Sequence, residues 1–271
     1  MKLLIATLRK LVRRPATFIT FGLLVGLMAL IFIAVGATAK QQPAASAQQS
    51  LLLVTFPGAY TLIISFILGL GGLFGVIYGA AIAGSEWTWG TLKAAIARGE
   101  SRSRYQLLSF AGVGLILGVG LLAAFAIGVV VVVIGATLAG VSTAGINDAR
   151  TLGQLPELLA RAWLAIVEQG ALGFAIATLA RSQLAGVGVG IGVYFGEQFA
   201  TIFLPDVVKY LPFHAASAVV AVSGSGGFGG GGNGAQLARI DPNAALVIVA
   251  AWLIGALLVT TLFTERAEIS G

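Results

Sequence analysis

Residues 107–138 read LLSFAGVGLILGVGLLAAFAIGVVVVVIGATL, 32 residues without one charged side chain. A helix needs about 20 apolar residues to cross the ~30 Å hydrocarbon core of a bilayer, so this stretch is a membrane span, either tilted or extending beyond the lipid on one side. Working outward from it, further apolar runs fall at 18–37, 60–83, 158–180, 184–204 and 244–263. These make six expected spans, all helical because lipid offers backbone N–H and C=O groups no other partner. Composition agrees: 58% of the 271 residues are hydrophobic and 10% charged, where soluble domains carry about 25% charge, and the mean hydropathy is +0.99. The expected fold is all-α, a polytopic membrane protein forming a single transmembrane domain over residues 1–271.

Lysine and arginine set the orientation. With six spans, Lys2, Arg9, Lys10, Arg13, Arg14, Lys93, Arg98, Arg102, Arg104, Arg181 and Arg266 share one side, and Lys40, Arg150, Arg161, Lys209 and Arg239 the other. The richer side is cytoplasmic by the positive-inside rule, with both termini on it. The +6 net charge therefore reads as topology rather than nucleic-acid binding. Cysteine is absent and His214 is the single histidine, which excludes disulfide frameworks, iron–sulfur clusters and the usual zinc sites. No HExxH or GxSxG motif occurs, and Asp148, Asp206 and Asp241 all fall in external loops, so hydrolytic chemistry has no signature.

Segments outside the spans have their own character. Residues 1–15 place Leu4, Leu8 and Leu11 on one helical face and Lys2, Arg9 and Arg13 on another, an interfacial helix that Arg14-Pro15 turns into the bilayer; a positive flank that only fixes topology is the alternative. Residues 84–105, GSEWTWGTLKAAIARGESRSRY, form a charged cytoplasmic loop with helical composition from Thr91 to Arg98 and a helix-ending Gly99. Trp87 and Trp89 suit the headgroup level. Ser103 and Gln106 are spaced as a capping box for the third span, and Asp241-Pro242 as N-cap and N1 of the sixth. The external segment 205–243 holds a candidate re-entrant stretch with Pro205, Pro212 and His214. The same segment contains the glycine tract 223–234, which has no lysine and so makes no Walker loop.

Within the spans, Gly75 and Gly79, and Gly186 and Gly190, lie four apart and predict close helix packing. Glu168 and Glu197 are expensive at bilayer depth, about 2.5–3.5 kcal/mol on insertion scales for an acid, so neither is expected to face lipid. They are candidate polar residues of a pathway, or structural groups bonded to Gln169, Gln198 or a neighbouring helix; the residues leave both open.

The cytoplasmic loop also carries a motif. Glu86, then Gly90-Thr91-Leu92-Lys93, then Ala97-Arg98-Gly99 and Ser101-Arg102, resembles the loop after the second span in membrane subunits of ABC-2 type ATP-binding cassette transporters. The basic first helix, the six spans and the proline-containing external segment are similar too. The chain departs from the pattern at Ser109, where the family often has lysine, and in its glycine tract. The resemblance implies a permease subunit of an ATP-driven exporter in the inner membrane of a prokaryote, itself non-catalytic and without a cofactor. Residues 1–15 are then a connecting helix and 84–105 carry the coupling helix. Partners would be two copies of a cytoplasmic ATPase subunit holding ATP and magnesium, and a second permease subunit, expected as a homodimer. Glu86, Gly90, Thr91, Arg98 and Arg102 are the expected contacts with the ATPase. Two other functions remain in view: a proton-coupled carrier using Glu168 and Glu197, and a nontransporting scaffold or immunity subunit.

Overall fold

The computed structural model describes residues 2–41, 43–220 and 240–267, and every regular element among them is helical. In chain order these are α1 (Lys2–Val12), α2 (Pro15–Thr38), α3 (Ala44–Leu52), α4 (Gly58–Thr88), α5 (Thr91–Ala97), α6 (Arg102–Ala139), α7 (Ala149–Ala180), α8 (Gln183–Phe203), α9 (Pro205–Val208), α10 (Pro212–Ala218) and α11 (Pro242–Arg266). Local chemistry sets several boundaries. Arg14 is extended, as a residue before proline must be, and Pro15 opens α2. Gly90 and Gly99, at φ +64° and +89°, bracket α5 with a backbone that other residues adopt only under strain. Asp241 accepts from the Asn243 and Ala244 amides and Pro242 takes the first position of α11, as its sequence predicts. The capping box expected at Ser103 is not formed: α6 starts two residues earlier, with Ser101 as its N-cap.

Five helices are long and apolar enough to cross a membrane: α2 with its trailing turn, α4, α6, α7 and α11. The stretch 184–204 is helical as α8, but five glycines with Glu197 and Gln198 hold it below the apolarity of those five. α4 and α7 form the centre. Their most apolar windows are 61% and 67% buried, against 17% for α2 and α11 and 28% for α6, so the outer helices present leucine, valine and phenylalanine to their surroundings.

The centre closes on small residues. A methyl on Gly79 would overlap the Gly170 carbonyl of α7, and one on Gly173 would overlap the Val76 carbonyl of α4, so the two backbones touch along a seam. α8 turns back through Arg181 and Ser182 and lays Gly186 against Ala177 and Gly190 against Val76. Gly75 meets the Ile166 carbonyl at ordinary contact distance. At the opposite end from α1 and α5, α10 buries Phe213, Ala215 and Ala216 on the ends of α4, α7, α8 and α11. The glycine tract 223–234 lies outside the described residues.

Candidate functional site

The end of the bundle that carries α1 and α5 is organised around one carboxylate. Glu86 sits in the last turn of α4, 2% exposed. Lys10 Nζ of α1 donates to its Oε1 at 2.5 Å, and Tyr105 Oη of α6 donates to its Oε2 at 2.6 Å. The Thr91 hydroxyl, on the first residue of α5, donates to the same oxygen. Arg14 Nη2 stands 3.9 Å away while Arg14 Nη1 donates to Ser85 Oγ at 2.6 Å, and its guanidinium lies 5.0 Å from the centroid of the Trp89 ring. One acid thus ties together α1, α4, α5 and α6. A buried charge is tolerable here because donors and cations surround it.

This junction fixes the attitude of α5. Thr91 anchors its start, Leu92 and Ala95 are buried, and Lys93, Ala94, Ala97 and Arg98 face outward. Arg98 Nε donates only to the Ala94 carbonyl of its own turn, and no carboxylate pairs with it among the described residues. Arg102 is turned elsewhere. Its Nη1 donates to the carbonyls of Ala267 at 2.8 Å and Glu265 at 3.2 Å, placing a cation on the open carbonyl end of α11.

The residues expected to meet a partner therefore separate. Glu86 and Thr91 point into the junction, Arg102 holds α11, Gly90 makes the turn, and Arg98 is exposed. Sequence reading did not single out Lys10, Arg14 and Tyr105 as partners of Glu86. Lys10 belongs to α1, whereas Arg14 lies in the extended turn beyond it, so helical spacing does not pair them, and Tyr105 gave no signal either.

A second polar group lies inside the bundle. Glu168, in the middle of α7, is fully buried and neither carboxylate oxygen has a partner. Glu197 of α8, 3% exposed, accepts from the backbone amides of Phe213 and His214, each at 3.1 Å. Neither glutamate bonds the glutamine beside it. Consecutive helical side chains diverge by about 100°, and Gln169 instead lies against Gly72 of α4, its Oε1 unpartnered. No trio of histidine, aspartate or glutamate suited to a metal occurs among the described residues.

No protein-family model matches the chain, and no curated protein matches it.

Proposed function

We propose that this chain is the membrane subunit of an ATP-driven exporter of the ABC-2 type, with α8 as a sixth span, both termini cytoplasmic, and a separate ATPase docking on α5. The observation that carries the reading is α5 itself: a short helix held outside the bundle on a four-helix junction, its inner side locked by Thr91 and Leu92 and its outer side open. Lys93 and Arg98 are the contact residues on that side, suited to carboxylates of a partner. Glu86 acts behind them, transmitting a push on α5 to α1, α4 and α6. Export rather than import, and ATP rather than an ion gradient, rest on the sequence resemblance.

Pairing with a second copy has support in α8. Gly188, Gly192 and Gly196 recur every fourth residue with nothing near a Cβ position, and Phe195, Phe199 and Ile202 beside them are exposed. Such a row permits close approach of another helix in lipid.

The test is affinity purification of the tagged chain in mild detergent, with an ATPase assay on the proteins that co-purify. A soluble Walker-containing protein is expected with the wild type and absent with the double variant Lys93→Glu, Arg98→Glu, whose fold is checked by its melting temperature. If the chain purifies alone, and proton-dependent flux is lost in Glu168→Gln, the carrier reading replaces this one. That second reading draws on the unpartnered Glu168 carboxyl.

A further inference from the structure

Among the described residues, Gly90, Gly99 and Gly140 turn the chain at positive φ, and a single residue with a side chain joins them: Arg181, at φ +51°. It closes α7, its N–H on the Ala177 and Thr178 carbonyls, at a position that favours glycine because a Cβ crowds the left-handed backbone. The turn itself therefore gains nothing from an arginine, and its reason lies in the side chain. The guanidinium stands 5.1 Å from the centroid of the Trp87 ring at the end of α4 and 5.4 Å from that of Phe263 in the last turn of α11. No acid pairs with it among the described residues.

The surroundings of that guanidinium carry charge of one sign. Arg266 follows Phe263 by three residues and so leaves α11 on the same side; it is exposed and has no acid partner among the described residues. Glu265 follows by two, about 200° around the helix, which turns the acid away from Arg181. Leu184, three residues beyond Arg181 in the first turn of α8, is 83% exposed. Two cations, an aromatic pair and a bare leucine thus stand where α7 and α11, both apolar enough to span a membrane, come to their ends. That is the level at which a bilayer passes from hydrocarbon to headgroups.

This arrangement selects its ligand. An arginine resting on aromatic rings keeps its N–H edge free and oriented, the form that takes a phosphate through paired, charge-assisted hydrogen bonds. A soluble anion answers the cations but makes no use of Leu184; a neutral lipid covers the leucine and leaves two cations unanswered; a zwitterionic lipid brings an ammonium of its own to compete for the phosphate. We propose that Arg181 and Arg266, set on either side of Phe263, form a binding site for the phosphate of an anionic phospholipid, with its hydrocarbon along Leu184. The site rests on the membrane-spanning architecture and stands whether or not an ATPase partner exists.

The test is native mass spectrometry of the full-length chain in mild detergent, titrated with phosphatidylglycerol or with phosphatidylcholine of identical acyl chains. Wild type is expected to hold phosphatidylglycerol the more tightly. Arg181→Gly and Arg266→Gln should each weaken that binding about fivefold, the typical effect of one basic residue at an anionic membrane surface. Arg104→Gln, which removes an exposed cation at the same end of the bundle, should leave it unchanged. Glycine suits the backbone at position 181, so Arg181→Gly should melt within a few degrees of wild type in phosphatidylcholine nanodiscs. Equal affinity for the two lipids, or an equal loss in Arg104→Gln, reduces the binding to hydrocarbon or diffuse charge and overturns the site. Displacement of phosphatidylglycerol by an equal concentration of inorganic phosphate makes the occupant a soluble anion and overturns the lipid. A melting collapse in Arg181→Gly makes the guanidinium a prop for Trp87 and Phe263, and full binding by Arg266→Gln removes the second cation; either overturns the proposal.

Discussion

Glu86 and Glu168 are both buried acids, and they should respond to neutralisation in opposite ways. Glu86→Ala strands Lys10, Arg14 and Tyr105 without their acceptor. Breaking a buried pair costs about 3–5 kcal/mol; with the Lys10 side chain 34% exposed, about 3 kcal/mol or less is expected here, read as a fall in Tm and earlier proteolysis near α1. Glu168→Gln removes an acid that has no donor, so Tm should hold or rise. Glu197→Gln weakens the acceptor of two backbone amides and should cost about 2 kcal/mol, a typical figure for hydrogen bonds to a charged group. A Tm drop in Glu168→Gln as large as in Glu197→Gln would mean that Glu168 has a partner in the folded protein.

Among the helices, the glycine rows divide into those that are filled and those that are open. Gly79→Ala drives a methyl into the Gly170 carbonyl and should destabilise the protein by about 1–3 kcal/mol, the usual range for overpacking. Gly188→Leu meets open space and should leave the melting of a monomer unchanged while lowering the dimer fraction measured by crosslinking in nanodiscs. A seam tolerant of Gly79→Ala would refute the close approach of α4 and α7. The helices themselves were readable because lipid demands long apolar runs, and Asp241-Pro242 and Gly99 marked their ends. What could not be read was which face of a polar helix turns inward. In α5 and the start of α6 a rotation of one residue exchanges Thr91 for Leu92 or Arg102 for Ser103, and no hydrophobic stripe over seven residues fixes that angle. Glu86 was therefore visible as part of a motif, but its burial under Lys10 and Tyr105 depended on helices far away in the chain.

For the molecule as a whole, the absence of cysteine permits a direct test of orientation. Single substitutions at Arg98 and Ser217, both exposed and at opposite ends of the bundle, give two reporters. In intact cells an impermeant maleimide should label Ser217→Cys and spare Arg98→Cys until the membrane is opened; the reverse pattern would invert the proposed topology. The protein's outer helices, apolar and little buried, need lipid or another copy around them, so detergent removal should aggregate the chain even where the α4–α7 centre stays intact.

α6 contains no proline and runs for 38 residues, about 57 Å at 1.5 Å per residue, nearly twice the hydrocarbon thickness. At one end it holds Tyr105 and Arg102; at the other it stops at Gly140, beyond any contact with α5. Such a rod is a lever arm. A tilt of about 5° pivoted at Tyr105 would carry its far end roughly 4 Å, most of the pitch of one helical turn, so a displacement too small to disturb the Glu86 junction becomes, on the other side of the membrane, one large enough to change which side chains meet.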